Sequence, residues 1–246
     1  MPQSDQIRAL AMNLPHGGRL LEHDHAWDQL AYAVSGIMSV ESGNSRWVVP
    51  PHRAVWLPAG APHRIEADRP LALRLLYVMP GRVKSLPRHC SVVEVTPLVR
   101  ELVLELVRRH APDGDPIRTR LERLLIDLMG GLDQPPLTLP MPRDTRARKL
   151  AEHLTAHPDD RRPLTTLART VGSGARTLQR LFVAETGLSF QQWRRQARLH
   201  RSLVLLAGGS AVTSVALQVG YDSPSAFVAM FRSALGETPG RYFSGN

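Results

Sequence analysis

One cysteine, two lysines and no apolar run of membrane-spanning length occur in these 246 residues. Each scarcity excludes something. Cys90 alone cannot build an internal disulfide framework or a multi-cysteine zinc site. No stretch approaches the roughly 20 consecutive apolar residues of a membrane helix. The opening MPQSDQIRALAMN has no charged segment followed by an apolar one, so no secretion signal is expected, and a cytoplasmic location is the simplest expectation. Lysine is confined to Lys84 and Lys149, which hints at GC-rich coding and leaves arginine to carry almost all of the positive charge. Apolar residues nevertheless make up 43%, enough to bury a core and to argue against disorder.

The charge is unevenly placed. The net charge is +9, but from Arg143 onward 15 Lys+Arg face 7 Asp+Glu, a balance of +8. The first 142 residues are close to neutral. Coding bias alone does not put charge on one side, so a polyanionic partner is expected for the C-terminal part only.

The hydrophobic pattern changes along the chain. Up to about residue 90, short runs such as LAYAVSG, SRWVVPP and LALRLLYVMPG alternate with Pro/Gly punctuation, the mark of a sandwich or small barrel. From Pro97 the period is helical: Leu98, Leu102 and Leu106, then Leu121, Leu124, Leu125 and Leu128. These two helices are too apolar to stand alone and are expected to pack on each other, on a neighbouring domain or on a second subunit. DQPPLTLPMPRD, residues 133 to 144, reads as a linker. The remainder reads as all-helical. The expected architecture is a two-domain α+β chain, with a β-barrel over 1–92, a helical linker and possible dimerisation region over 93–142, and an all-α domain over 143–246.

The C-terminal part repeats itself. Ala168 and Val171 match Ala216 and Val219 at an offset of 48, whereas Phe182 and Gly187 match Phe231 and Gly236 at 49, which places a one-residue insertion in the intervening turn. Each copy, about 164–187 and 212–236, reads as a helix-turn-helix unit. In the first, Leu178, Leu181 and Phe182 form an inner stripe and Arg176, Gln179, Arg180 and Val183 an outer one. Arg forks onto guanine and Gln onto adenine, so this outer face suits base edges. In the second, Ser223 is placed to cap a helix beginning at Pro224, with Phe227, Met230 and Phe231 inward. Between them Ser189-x-x-Gln192 opens a longer helix as a capping box, with Arg194, Arg195, Arg198 and Arg201 expected on its outer side.

LARTVGSGARTLQRLFVAETGLSF, RLHRSLVLLAGG and VALQVGYDSPSAFVAMFRSALGETPGRYF resemble the DNA-binding domain of the AraC/XylS family of transcription regulators. The resemblance implies two helix-turn-helix units entering successive major grooves of double-stranded promoter DNA, with base contacts at Arg176, Gln179 and Arg180. The second recognition helix departs from the family, with Ala229 where members often carry a basic residue. It is expected to grip phosphate through Ser223, Ser225 and Arg232 and to read shape.

In the neutral part, His23-x-His25-x3-Gln29 and a later His63 after a Pro-Gly turn resemble the two motifs of the cupin superfamily, with Gln29 in place of the glutamate and His52 where the second motif usually begins with Gly. The resemblance implies a cupin-like barrel of the kind that serves as sensor domain in a subgroup of the same regulators. An unbroken strand places His23, His25 and Gln29 on one face. Three readings stay open: a site for a divalent transition metal (zinc, nickel, copper or iron), a metal-free small-molecule pocket, or a structural histidine cluster. Five aromatics, Trp27, Tyr32, Trp47, Trp56 and Tyr77, are core candidates, with one or two facing the pocket. The leading expectation is a regulator, a homodimer and not an enzyme, responding to a small molecule or metal. The alternative is a metal-dependent cupin enzyme with a helical appendage.

Overall fold

The computed structural model describes residues 7–50, 53–109, 115–132 and 137–244. It separates into two compact units: residues 1–43 with 49–136, and residues 44–48 with 137–246.

In the first unit, β1 (Ile7–Leu14), β3 (Asp28–Ser35), β6 (Arg53–Leu57), β8 (Leu71–Val78) and β9 (Ser91–Glu94) form an antiparallel sheet in the order β1-β8-β3-β6-β9. A second antiparallel group runs β4 (Met38–Ser42), β7 (His63–Glu66), β2 (Arg19–His23). The central strand β3 is buried from Asp28 to Ala33 without alternation because both faces of its sheet are covered. On one face Leu30, Tyr32, Trp56, Leu76 and Val78 share a single apolar cluster with α1 (Pro97–Arg108) and α2 (Pro116–Met129). On the other face are Gln29, Ala31 and Ala33, with Gln29 registered between Leu57 and Tyr77.

Both helices start as their sequences dictate, with Thr96 and Asp115 as N-caps followed by Pro97 and Pro116. Their apolar stripes, Val99, Leu102, Val103 and Leu106 on α1 and Leu125 and Met129 on α2, are absorbed by the sheet. The break expected at 92/93 is therefore absent, since these helices belong to the same core as the strands. Leu98, Ile117 and Leu124 stay exposed.

The second unit contains α3 (Thr145–Ala156), α4 (Leu164–Thr170), α5 (Ala175–Thr186), α6 (Phe190–Ala207), α7 (Val212–Gln218), α8 (Pro224–Leu235) and α9 (Pro239–Ser244). It also holds a short ladder. β5 (Ser45–Val49) pairs with β10 (Thr138–Pro140), Trp47 opposite Thr138, and the indole N–H of Trp47 donates to Thr138 Oγ1 at 3.0 Å. The stretch expected to be a linker thus contributes a strand, while its residues 133–136 lie outside the described ones. The reason is legible: Leu137, Leu139 and Met141 alternate with polar or proline positions and are all buried. Pro140 lacks an N–H but sits on an edge strand, where none is required.

The repeat survives at the level of backbone. α4 and α7 begin and end 48 residues apart, α5 and α8 49 apart, and the extra residue falls in the turn. Gly187 and Gly236 end α5 and α8 at φ 73° and 82°, left-handed conformations that glycine adopts without steric cost. Ser189 and Gln192 do form the capping box on α6. Trp193, Phe182 and Phe190 pack edge to face, and Trp193 Nε1 donates to Pro140 O at 2.7 Å. Each such fully buried apolar side chain contributes roughly 1.5–3 kcal/mol of transfer free energy.

His200 on α6 is fully buried. Desolvation lowers its pKa to about 4, the charge of Arg46 acts in the same direction, and the backbone of Leu137 opposes both. Its folded pKa lies below the unfolded value of about 6.5, so the unfolded chain takes up the proton first. Stability is therefore full above that value and falls as pH drops from about 6.5 to about 4. The gap corresponds to a loss of about 3 kcal/mol. Urea unfolding across this window should show the loss, and His200→Leu should flatten it.

Candidate functional site

Three histidines meet at one end of the first unit. His23 ends β2, His25 lies in the following loop and His63 opens β7 directly opposite His23. The His23 and His63 rings are 4.4 Å apart, and those of His25 and His63 5.1 Å. One nitrogen from each lies within 4.8 Å of the others. The unbroken strand expected through His23, His25 and Gln29 is not formed. β2 stops at His23 and β3 starts at Asp28, so the chain changes sheets between them. Gln29 reaches the cluster from the opposite sheet, with Oε1 3.0 Å from His25 Nε2. His52 lies outside the described residues.

The hydrogen bonds set the tautomers. In each histidine Nδ1 faces a main-chain carbonyl two residues away: His23 to Leu21 at 2.8 Å, His25 to Trp27 at 2.6 Å and His63 to Ala61 at 2.9 Å. A carbonyl only accepts, so each Nδ1 carries a proton, and Nε2 is the atom each ring turns toward the others. His63 Nε2 is buried and has no hydrogen-bond partner. Burial lowers the His63 pKa and outweighs the bond to Ala61; His23 and His25 lower it further and Asp24 opposes them, so the ring stays neutral. With Nε2 of His25 unprotonated, the Gln29 side chain satisfies it only by turning its amide nitrogen inward, an exchange that leaves the heavy-atom geometry unchanged. Three imidazoles with one nitrogen each within 4.8 Å of the others, each steadied through Nδ1, match the donor set that a divalent transition metal takes.

Tyr77 completes the wall, edge-on to His25 at 5.2 Å. Of the five aromatics singled out, it is the one against the histidines. Its position opposite Gln29 in the ladder is the signal, and that register is set by strand pairing over a long separation. Tyr32 and Trp56 face α1 and α2, and Trp47 belongs to the β5–β10 ladder.

In the second unit, Arg176, Gln179, Arg180 and Val183 form an exposed stripe on α5. Among the described residues, Arg176, Gln179 and Arg180 have no ion-pair or side-chain hydrogen-bond partner. On α8, Ser223 Oγ accepts the Ala226 N–H at 3.2 Å, so it caps the helix, while Ser225, Ala229 and Arg232 share an exposed stripe. Arg194 and Arg198, expected on the outer side of α6, are turned elsewhere. Arg194 is only 8% exposed and donates to Arg162 O at 3.1 Å, and Arg198 Nε donates to Pro158 O at 3.0 Å. The helical period was read correctly, but α6 is packed around most of its circumference, including Leu199, His200 and Ser202.

Residues 17–140 match the family described as AraC-like ligand binding domain, and residues 167–245 the one described as Helix-turn-helix domain. Over 223 residues the chain is 37% identical to the HTH-type transcriptional regulator NimR of Escherichia coli (strain K12), spanning 90% of this chain and 81% of that one. The chain belongs to the AraC family of transcriptional regulators. The HTH-type transcriptional regulator RipA of Corynebacterium diphtheriae is 36% identical over 104 residues, 42% of this chain and 31% of its own length. Among solved structures, unsaturated fatty acid bound ToxT from Vibrio cholerae aligns over 98% of this chain and 95% of its own, at 12% identity and a TM-score of 0.40.

In this AraC-family regulator the ligand-binding domain is therefore the strand-rich unit and the DNA-binding domain the helical one. These relatives are transcriptional regulators, which favours that reading over the alternative of a metal-dependent cupin enzyme with a helical appendage. Among the described residues no helix is long and apolar enough to cross a membrane. Because the α5 stripe has no partners within the unit, Arg176→Ala, Gln179→Ala and Arg180→Ala should each change unfolding free energy by less than about 0.5 kcal/mol. Each should also weaken operator binding by about 1–3 kcal/mol and relax preference at one base position. Denaturation and binding titrations on the same preparations check both.

Proposed function

We propose that this regulator reads promoter DNA through Arg176, Gln179 and Arg180 on α5, and that α8 grips the backbone with Ser223, Ser225 and Arg232. The exposed, unpartnered stripe on α5 carries this reading. Bidentate Arg and Gln side chains supply donors and acceptors for purine edges, whereas the α8 stripe offers a hydroxyl, a methyl and one guanidinium. Sequence preference then resides mainly in the first unit. A second copy pairs through α1 and α2, where Leu98, Ile117 and Leu124 are exposed, giving a homodimer.

The barrel is a sensor and not a catalyst. His23, His25 and His63 hold a divalent transition metal, zinc, nickel, copper or iron, through Nε2. Gln29, lacking a carboxylate, supplies at most a neutral oxygen. Bound there, the ion provides Lewis-acid attraction for an effector with a donor atom. The chain's own contribution is to fix the three rings through the Leu21, Trp27 and Ala61 carbonyls, while burial keeps His63 neutral. A second reading, a metal-free pocket, draws on Tyr77 against His25 and on the His25–Gln29 contact, which satisfies that nitrogen without an ion. In either case occupancy acts on DNA affinity only through unequal binding to two states of the protein.

Two measurements test this. Binding of a promoter duplex should fall steeply with salt, by about 10³–10⁵ between 50 and 200 mM if 6–10 phosphates are contacted. A flat dependence would remove the backbone-gripping role. Elemental analysis of the purified chain should find about one transition metal per protein, lost in His63→Ala and held more tightly in Gln29→Glu. Addition of that metal should shift operator affinity by about 5–150-fold. A metal-free wild type that still responds to a small molecule favours the second reading.

A further inference from the structure

The loop 157–163 joins α3 to α4 and leads into the first helix-turn-helix unit, yet its polar contacts are with α6 and the second unit. Arg194 donates from Nη1 to Arg162 O at 3.1 Å and from Nη2 to Asp160 O. Arg198 Nε donates to Pro158 O at 3.0 Å, and its guanidinium carbon lies 5.4 Å from the centre of the Tyr221 ring. Arg161 donates to the Tyr221 carbonyl at 3.1 Å and pairs with the Asp222 carboxylate. Tyr221 and Asp222 form the turn of the second unit. Within the loop, the Asp160 carboxylate accepts from Arg162 and lies 2.9 Å from His153 Nε2.

The two turn glycines of the repeat separate this arrangement from an ordinary turn. Gly172 and Gly220 sit at corresponding positions, with φ 64° and 82°. Around Gly172 nothing lies within 4 Å of where a Cβ would stand. At Gly220 that Cβ would meet Arg198 Nη2 at 2.6 Å, Pro158 O at 2.9 Å and Asp159 Cα at 3.0 Å. The first glycine answers a backbone requirement only. The second also lets the turn seat directly on the loop that precedes the first unit. The linking helix by itself fixes the distance between its own ends. Beyond it the chain turns through Gly208 and Gly209 into α7, and α7 and α9 pack back on α6, so the contacts at Gly220 add to that packing from the side of the loop.

We infer that Arg198, Gly220 and the Arg161–Asp222 pair are positioning residues that lock α8 relative to α5 and so fix which phosphates α8 grips relative to the bases α5 reads. This rests on the reading that both recognition helices meet DNA. The exposed ion pair by itself adds little. The arginine–carbonyl bonds and the backbone contact at Gly220 carry the constraint. Burial favours these bonds as well, since it makes Arg194 and Arg198 depend on the carbonyls they face.

The test uses the full chain and a duplex selected by it from a random library, with derivatives in which single phosphates of the region α8 covers are replaced by uncharged methylphosphonates. In wild type the loss of affinity should be confined to the few phosphates that lie at one fixed distance from the bases α5 reads, and each loss should lower the salt slope by about one. Arg198→Ala, and more mildly Arg161→Ala at a half-exposed site, should lower affinity for the parent duplex and spread the losses over neighbouring phosphates, none exceeding about 3-fold. A variant that is merely destabilised binds every duplex worse by the same factor and keeps the wild-type positions, and each profile is a ratio taken on one preparation, so an inactive fraction cancels. Variant profiles as sharp as wild type would overturn the inference. A wild type indifferent to every substitution in that region would instead sink the two-helix reading, and this inference with it.

Discussion

Two arginines of α6 direct their hydrogen bonds to main-chain carbonyls, and the shape of the helical unit follows from that choice. Burying a guanidinium is costly unless its donors are met, and the loop 157–163 offers carbonyls at Pro158, Asp160 and Arg162 that take Nε of Arg198 and both Nη atoms of Arg194, whose Nε has no partner among the described residues. The satisfaction is mutual, since those carbonyls belong to no helix or strand. The loop is thereby drawn onto α6, and the turn of the second unit closes over it at Gly220. A further consequence concerns charge. The +8 balance of the C-terminal part overstates what DNA meets, because Arg194 and Arg198 are engaged internally. The exposed arginines on α5, α6 and α8 are left to form the electrostatic surface.

Much of the helical unit is legible in the sequence because its signals are local. Offsets of 48 and 49, a glycine after each recognition helix and a Ser-x-x-Gln before the linking helix all act within one turn of backbone. What escapes is set over a distance. An arginine at i and i+4 on a polar stripe reads as solvated unless one knows that a loop more than 30 residues earlier presents carbonyls to it. The strand at 138–140 was masked by its prolines, although the buried Leu137, Leu139 and Met141 carry the period of two. The histidines are legible by type and spacing. Their geometry is not, because parity orders side chains only along a continuous strand, and the chain leaves one sheet for the other after His23.

The chemistry of the barrel turns on where protons sit. Each imidazole is anchored by a carbonyl of its own local chain, which removes the ambiguity of tautomer before any ligand arrives. Gln29 reaches the same cluster from the opposite sheet with an amide where a carboxylate would carry charge. On the proposed reading, a cation held by the three Nε2 atoms would keep its full charge, because imidazole and amide ligands donate none, and that charge would attract an electron-rich effector. It would equally acidify a bound water, so the assignment to sensing rests on the DNA-binding domain of the same chain and not on the charge of the ligands.

The two halves of the repeat keep one backbone and separate its uses. α5 carries donors able to discriminate bases, and its turn leaves open space where a Cβ at Gly172 would stand. α8 carries Ser225, Ala229 and Arg232, a weak set for base edges, and its turn is fixed to the rest of the unit. Discrimination by hydrogen bonds falls off within a few tenths of an ångström, so a reader of that kind is only as good as its placement on the duplex. A rigid companion that grips phosphate supplies the placement without adding a second set of base contacts. The poverty of the second recognition helix is therefore not a lost function. It leaves α8 free to act through position, and position is what the arginines of α6 maintain.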